Sequence, residues 1–179
     1  MKFLEKDLEE IIYETYNDNP KELQKRGLYL NGKIKRQLRI GNYGIADLVT
    51  FERDIDYEYN PDRFIDKDGV KTMIFECYIN PKLVITVYEL KKDKIGISAY
   101  LQALKYVKGI QSYLDKREFN NNVEYNIVLI GNELDTSGSF CFIPNFSSNV
   151  KFYTYSYGVN GIKFRNKEGY VLTDENFKL

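Results

Sequence analysis

The chain has 179 residues, its 26 Lys and Arg balance 26 Asp and Glu, and it contains no histidine. Zero net charge removes any whole-molecule electrostatic case for nucleic acid. The missing imidazole excludes Ser–His and Cys–His catalysis, histidine-based nucleases and nearly every zinc enzyme, so hydrolysis would fall to carboxylates, lysine and a hard, oxygen-seeking cation such as Mg²⁺.

An apolar share of 43% and a charged share of 29% are those of an ordinary globular chain. The length suits one domain, 1–179, with room for a full core. No apolar run nears the roughly 20 residues of a membrane span. The N-terminus, MKFLEKDLEE, has no apolar signal core, and a cytoplasmic protein is expected. Cys77 and Cys141 stand in apolar, strand-like settings and read as reduced buried thiols.

Residues 3–18 read as a helix, with Leu4, Leu8, Ile11, Ile12 and Thr15 on one face at the 3.6-residue period. Glu5 and Glu9 lie one turn apart on the flank of that face. Asn19-Pro20 ends the helix, and Lys21–Arg26 adds a short helical turn. Residues 33–40 (KIKRQLRI) alternate as a half-exposed strand, Gly41–Gly44 turns, and Ile45–Phe51 completes a hairpin. Asp47 is out of place there, a carboxylate among Ile45, Ala46, Leu48 and Val49. Buried without a cation or strong donors it would cost several kcal/mol.

Residues 52–69 are acidic and irregular, and are expected to form a loop or excursion from the sheet edge, ending in the turn signal Asp68-Gly69. Lys71–Asn80 is a further strand, which Pro81 separates from Leu83–Leu90. That last strand ends in Glu89-Leu90-Lys91, whose two charged side chains project to one face because direction alternates with period two.

Ile97–Lys116 is the long helix. Its expected core stripe is Ile97, Tyr100, Leu101, Leu104, Val107, Ile110 and Leu114, while Ser98, Gln102, Tyr106, Gly109 and Tyr113 face a groove. Val123–Ile130 is an apolar strand, Gly131–Gly138 a loop, and Ser139–Ile143, Val150–Tyr155 and Ile162–Arg165 are shorter strand candidates. A strand–helix–strand crossover over 83–130 implies a parallel pair, so the sheet is mixed and the class is α/β.

A meander of 33–91 brings Asp47 beside Glu89 and Lys91. Two carboxylates with the Leu90 backbone carbonyl make a hard oxygen site for Mg²⁺ or Mn²⁺. Glu9 can join directly or through water, and Lys91 can neutralise charge building on a phosphate.

The constellation Glu9, Asp47, Glu89-Leu90-Lys91 and Gln102-x-x-x-Tyr106 resembles the PD-(D/E)XK nuclease superfamily, in particular its RecB-type and archaeal mismatch-endonuclease-like branch. The segments QLRIGNYGIADLV, VYELKK and NIVLIGNEL carry the likeness, which covers most of the chain. It implies a restriction-endonuclease-like core in α-β-β-β-α-β order, with helices flanking a central mixed sheet. It further implies a metal-dependent DNA endonuclease of restriction, repair or mobile-element type, or else an inactive relative that binds nucleic acid or a protein. In that likeness Gln102 and Tyr106 meet the scissile phosphate or the attacking water. Arg36, Gln37, Arg39 and Lys92 are placed on the DNA backbone, where contacts position the duplex without reading sequence. Glu9 is favoured over Glu5 as the first-helix acid, and a homodimer or a separate DNA-targeting partner is expected.

Overall fold

The structure, a computed structural model, describes residues 4–67, 70–119, 122–137, 140, 143, 147–159 and 161–167, with the main chain alone over 58–77. Two helices come first, α1 (Glu5–Asp18) and α2 (Pro20–Lys25). The Leu4 N–H donates to Asp7 in the first turn of α1, and Pro20 opens α2, where its missing N–H costs nothing. Strand β1 (Lys33–Arg39) turns through a 3₁₀ turn (Gly41–Tyr43) into β2 (Ile45–Lys67) and β3 (Val70–Leu90). After β4 (Lys94–Ile95) come α3 (Ile97–Asp115), β5 (Asn122–Gly131), β6 (Glu133–Leu134), β7 (Val150–Gly158) and β8 (Gly161–Asn166).

Six strands form one sheet in the order β1-β2-β3-β5-β7-β8, and β4 pairs with β6 in a short second ribbon. β1, β2 and β3 are an antiparallel meander; β3, β5 and β7 run parallel, and β8 returns antiparallel to β7. The protein is thus α/β with a mixed central sheet. One face carries Leu48, Tyr88, Leu90 and Val128 against Leu8 and Ile12 of α1. The other carries Val49, Val87 and Leu129 against Ala103, Tyr106 and Ile110 of α3. No helix among the described residues is long and apolar enough to cross a membrane.

Three expectations are corrected. The acidic segment 52–69 is no loop: β2 runs on to Lys67, paired with β3 from Val70 onward, and the expected turn at Asp68-Gly69 lies outside the described residues. Its alternating acids misled because they mark a ribbon with no helix packed on it among the described residues rather than an irregular chain. A one-residue bulge between Asn60 and Arg63 absorbs Pro61. Pro81 does not separate two strands. It pairs with Ile55 one step beyond the last β3–β5 pair, Lys82 with Asn122, where β3 has a neighbour on one side only.

The third correction concerns α3, which is rotated from the expected stripe. Ala99, Ala103, Tyr106, Gly109 and Ile110 are buried with Val107, while Ile97, Leu101 and Leu104 face outward. Small residues let the helix sit close on the sheet and the 3₁₀ turn. A Cβ on Gly109 would stand 2.6 Å from Ile40 and 2.7 Å from Tyr43, so no larger residue fits without moving that turn. Leu114 and Tyr100 are only partly buried, and Tyr113 is exposed.

The strand expected over Ser139–Ile143 and the thiols of Cys77 and Cys141 fall largely or wholly outside what is described.

Candidate metal centre

The meander sets two carboxylates face to face. β2 and β3 pair Leu48 with Tyr88, and one further step puts Asp47 across from Glu89. Both share the side of the sheet used by Val49 and Val87, the α3 side. Like charges directly opposite each other on a sheet are destabilising. Asp47 Oδ2 accepts the Leu90 N–H at 2.9 Å, which ties its carboxylate to the end of β3. Glu89 is completely buried; its Oε1 accepts from Lys91 Nζ at 2.7 Å, and its Oε2 has no hydrogen-bond partner among the described residues.

Lys91 Nζ also stands 3.7 Å from Oε1 of Glu5, whose other oxygen accepts the Lys92 N–H at 3.2 Å. The Tyr155 hydroxyl donates to the Lys92 carbonyl and braces the same turn. The first turn of α1 therefore leans on the end of β3 through Glu5.

Burial pushes the Asp47 carboxyl up to about 6, against the opposing pull of the Leu90 N–H and Lys91. Burial, and then the charge of Asp47, push Glu89 up to about 7, while Lys91 holds it down. Burial pulls the Lys91 ammonium down, but its bond to Glu89 and the surrounding carboxylates outweigh that and raise it. Two facing acids pushed toward neutrality, chiefly by burial, are a functional-site signature.

Tyr106 completes the wall. Its ring lies against Gly44, where a Cβ would stand 3.1 Å from Tyr106 Cε1; Gly44 also has φ +117°, a conformation glycine takes readily. The Tyr106 hydroxyl accepts from Gln102 Nε2 at 2.8 Å. Burial first, and the charges of Glu89 and Asp47 after it, raise the Tyr106 phenol, which places it within their field.

Glu9 is engaged elsewhere. This buried carboxylate receives the Arg36 guanidinium on Oε1 and the Gln37 amide on Oε2. Successive side chains of a regular strand point to opposite faces. Here both reach one acid because Gln37 holds φ +49°, a left-handed conformation unusual for a non-glycine residue, within β1. Arg36 and Gln37, expected on DNA, are thus both engaged with Glu9, Arg36 half-buried and Gln37 still exposed, and Glu5 is the first-helix acid at Lys91. Spacing alone could not decide between Glu5 and Glu9, since both lie on the same flank of α1. Arg39 is exposed at the end of β1, and Lys92 is half-buried with Nζ 4.0 Å from Asp93.

Arg36→Ala strands a buried carboxylate and is expected to cost about 3 kcal/mol of unfolding free energy. Arg39→Ala should change it by less than about 0.5 kcal/mol. Urea titration compares the two, and equal small losses would show that Arg36 does not secure Glu9.

Among the described residues no three acidic or sulfur side chains converge as a preformed metal cage. The pair Asp47 and Glu89 fits a cation of the Mg²⁺ kind, which is commonly held by one or two carboxylates and keeps several of its waters. The unpartnered Glu89 Oε2 and the repulsion across the pair are what such an ion would relieve. No protein-family model matches the sequence, and no curated protein and no solved structure matches it either.

Proposed function

We propose that the chain is a metal-dependent DNA endonuclease on a restriction-endonuclease-like core. The observation that carries this is the facing pair of Asp47 and Glu89 at the sheet's end, with Lys91 on one carboxylate and the other carboxylate's field reaching Tyr106. The order of helix, three-stranded antiparallel meander, crossover helix and parallel strand also supports it.

Asp47, Glu89 Oε2 and the Leu90 carbonyl are the proposed holders of Mg²⁺ or Mn²⁺. Such an ion, when bound, supplies positive charge that stabilises a reacting phosphate and lowers the pKa of an attacking water. Lys91 opposes the rise that burial imposes on Glu89 and so favours its ionised form, and its ammonium can turn from Glu89 toward a phosphate oxygen. Tyr106 accepts from Gln102, so its own hydroxyl proton remains to be donated to that phosphate. Glu9 acts at one remove, by holding Arg36 and Gln37 beside the hairpin that presents Asp47. Arg39 and Lys92 are the proposed contacts to the DNA backbone.

A plasmid-nicking assay with Mg²⁺ or Mn²⁺ tests this. Wild type should nick, and Asp47→Ala and Lys91→Ala should each slow nicking by about a hundredfold or more. Nicking that survives both substitutions would sink the assignment. DNA binding by a wild type that never cleaves would favour an inactive nuclease-fold protein.

A further inference from the structure

On the face of the sheet that carries α1, toward the Lys82 end of β3, lies a cleft of about 540 Å³. It is on the opposite side from the Asp47 and Glu89 pair. Its size falls within the roughly 300–1,000 Å³ usual for small-molecule sites, but such sites are mostly apolar and this one is polar. Thr50, Thr86 and Asn126 stand in one row on its floor, since Thr50 pairs with Thr86 and Thr86 with Asn126 across β2, β3 and β5. The buried Tyr88 side chain interacts with both threonines. Tyr29 lines the cleft with 64% of its surface exposed.

Two acids line the cleft and differ in what they hold. Glu124 is answered on both oxygens, by Asn126 Nδ2 at 3.0 Å and Lys82 Nζ at 3.0 Å. Glu52 is half-buried and makes no ion pair among the described residues, Lys82 being taken by Asp54, Asp56 and Glu124. Burial first, then the charge of Asp54, raise the Glu52 carboxyl, against the opposing pull of Asn31. Neighbouring strands are about 4.8 Å apart, so the floor row spreads polar groups over roughly 10 Å. A single ammonium or carboxylate answers one of them and leaves the others unpartnered. An anion would also meet Glu52 and Glu124 against Lys151. An apolar ligand would dry hydroxyls and amides without replacing their water, which costs each its full desolvation.

We propose that this cleft binds a sugar ring with neighbouring free hydroxyls, either a free saccharide or the ribose of a nucleoside. Hydroxyls and amides both donate and accept, and a sugar offers groups that do the same in series around one ring. Thr86 and the Asn126 carbonyl take its hydroxyls on the floor, and Glu52 accepts from them at the rim. Tyr29 supplies a flat wall, apolar in its body and polar at its tip, for the face of the ring. The proposal stands independently of the endonuclease assignment, because no residue of the cleft belongs to the proposed metal site.

Calorimetry and saturation-transfer NMR on the full chain test it with glucose, galactose, mannose, ribose, adenosine and uridine. At least one should bind with a dissociation constant of about 1 mM or tighter. Hexoses binding ahead of nucleosides assigns a free saccharide, and the reverse order assigns a nucleoside. The deoxy analogue of whichever binds should be weaker by about tenfold or more, since the lost hydroxyl leaves a group of the cleft unpartnered. Glu52→Ala and Thr86→Val should each weaken binding by about tenfold with an unchanged circular dichroism spectrum. Tyr29→Ala alters an exposed side chain outside the core and should weaken it severalfold. Failure of every sugar and nucleoside to bind overturns the proposal. So does tighter binding of methylammonium or acetate than of any of them, or sugar binding that Glu52→Ala, Thr86→Val and Tyr29→Ala all leave unmoved.

Discussion

Asp47→Asn is expected to stabilise the metal-free protein at pH 8 by about 2 kcal/mol while it abolishes cleavage. Burial first, then the charges of Glu5 and Glu9, raise Asp47 to about 6, and burial first, then the charge of Asp47, raises Glu89 to about 7 in the folded state. The unfolded chain sheds these protons at ordinary carboxylate values, near 4. Between those limits the folded state holds more protons than the unfolded one, so stability falls as pH rises, and the full cost is present above about 7. Asparagine is nearly isosteric, keeps an acceptor for the Leu90 N–H and removes one of the facing charges. The gain over wild type should therefore be absent near pH 4 and grow through pH 7. Thermal unfolding followed across that range checks it, and a variant less stable than wild type at pH 8 would mean the pair is not strained. Mn²⁺ should raise the wild-type midpoint and leave the variant's almost unmoved. Removal of a functional charge commonly trades activity for stability in this way.

Lys91→Met should have the opposite sign and a comparable size. It removes the ammonium bonded to Glu89 and leaves that side chain buried beside Asp47. At pH 8 the loss should be about 3 kcal/mol, because a buried acid stripped of its partner is either charged and unpaired or forced to hold a proton. Near pH 5 Glu89 is already neutral in the folded protein, and the loss should shrink to less than about 1 kcal/mol. Glu89→Gln added to Lys91→Met should recover most of the stability at pH 8, since replacing both members of a buried pair is often nearly neutral. A double variant as unstable as the single would assign the loss to lost packing of the lysine stem instead.

Much of the architecture was legible in the chain. Apolar periodicity located α1, α3, β1 and β5 within a residue or two, because each has a face buried on a sheet or helix and the period follows from that burial. Asp47 was conspicuous as an acid in an apolar strand, and Glu89 and Lys91 followed from period two. What periodicity cannot see is what lies opposite. The hairpin beyond Phe51 alternates without a covered face, and its acids read as a loop. The α3 stripe was misplaced because the sheet accepts Ala99, Ala103 and Gly109 at close range, and small residues add little to an apolar pattern. Glu9 was preferred to Glu5 because it follows Leu8 in the DLEE phrase, but the left-handed turn at Gln37 that delivers a second donor to Glu9 depends on backbone dihedrals, which no residue pattern announces.

β3 is one strand under two regimes. From Leu83 to Leu90 it lies between β2 and β5 beneath two packed helices, whereas from Val70 to Pro81 it has β2 alone. Lys82 marks the change, with Nζ 2.8 Å from Asp56 on β2 and 3.0 Å from Glu124 on β5, a clasp across three strands. The ribbon up to that clasp pairs only with itself among the described residues, so its amides can exchange with solvent through local unfolding. Those of Leu83–Leu90 wait for the whole sheet to come apart. The same strand that holds the carboxylate pair rigid thus ends in a segment whose order depends on what it is laid against.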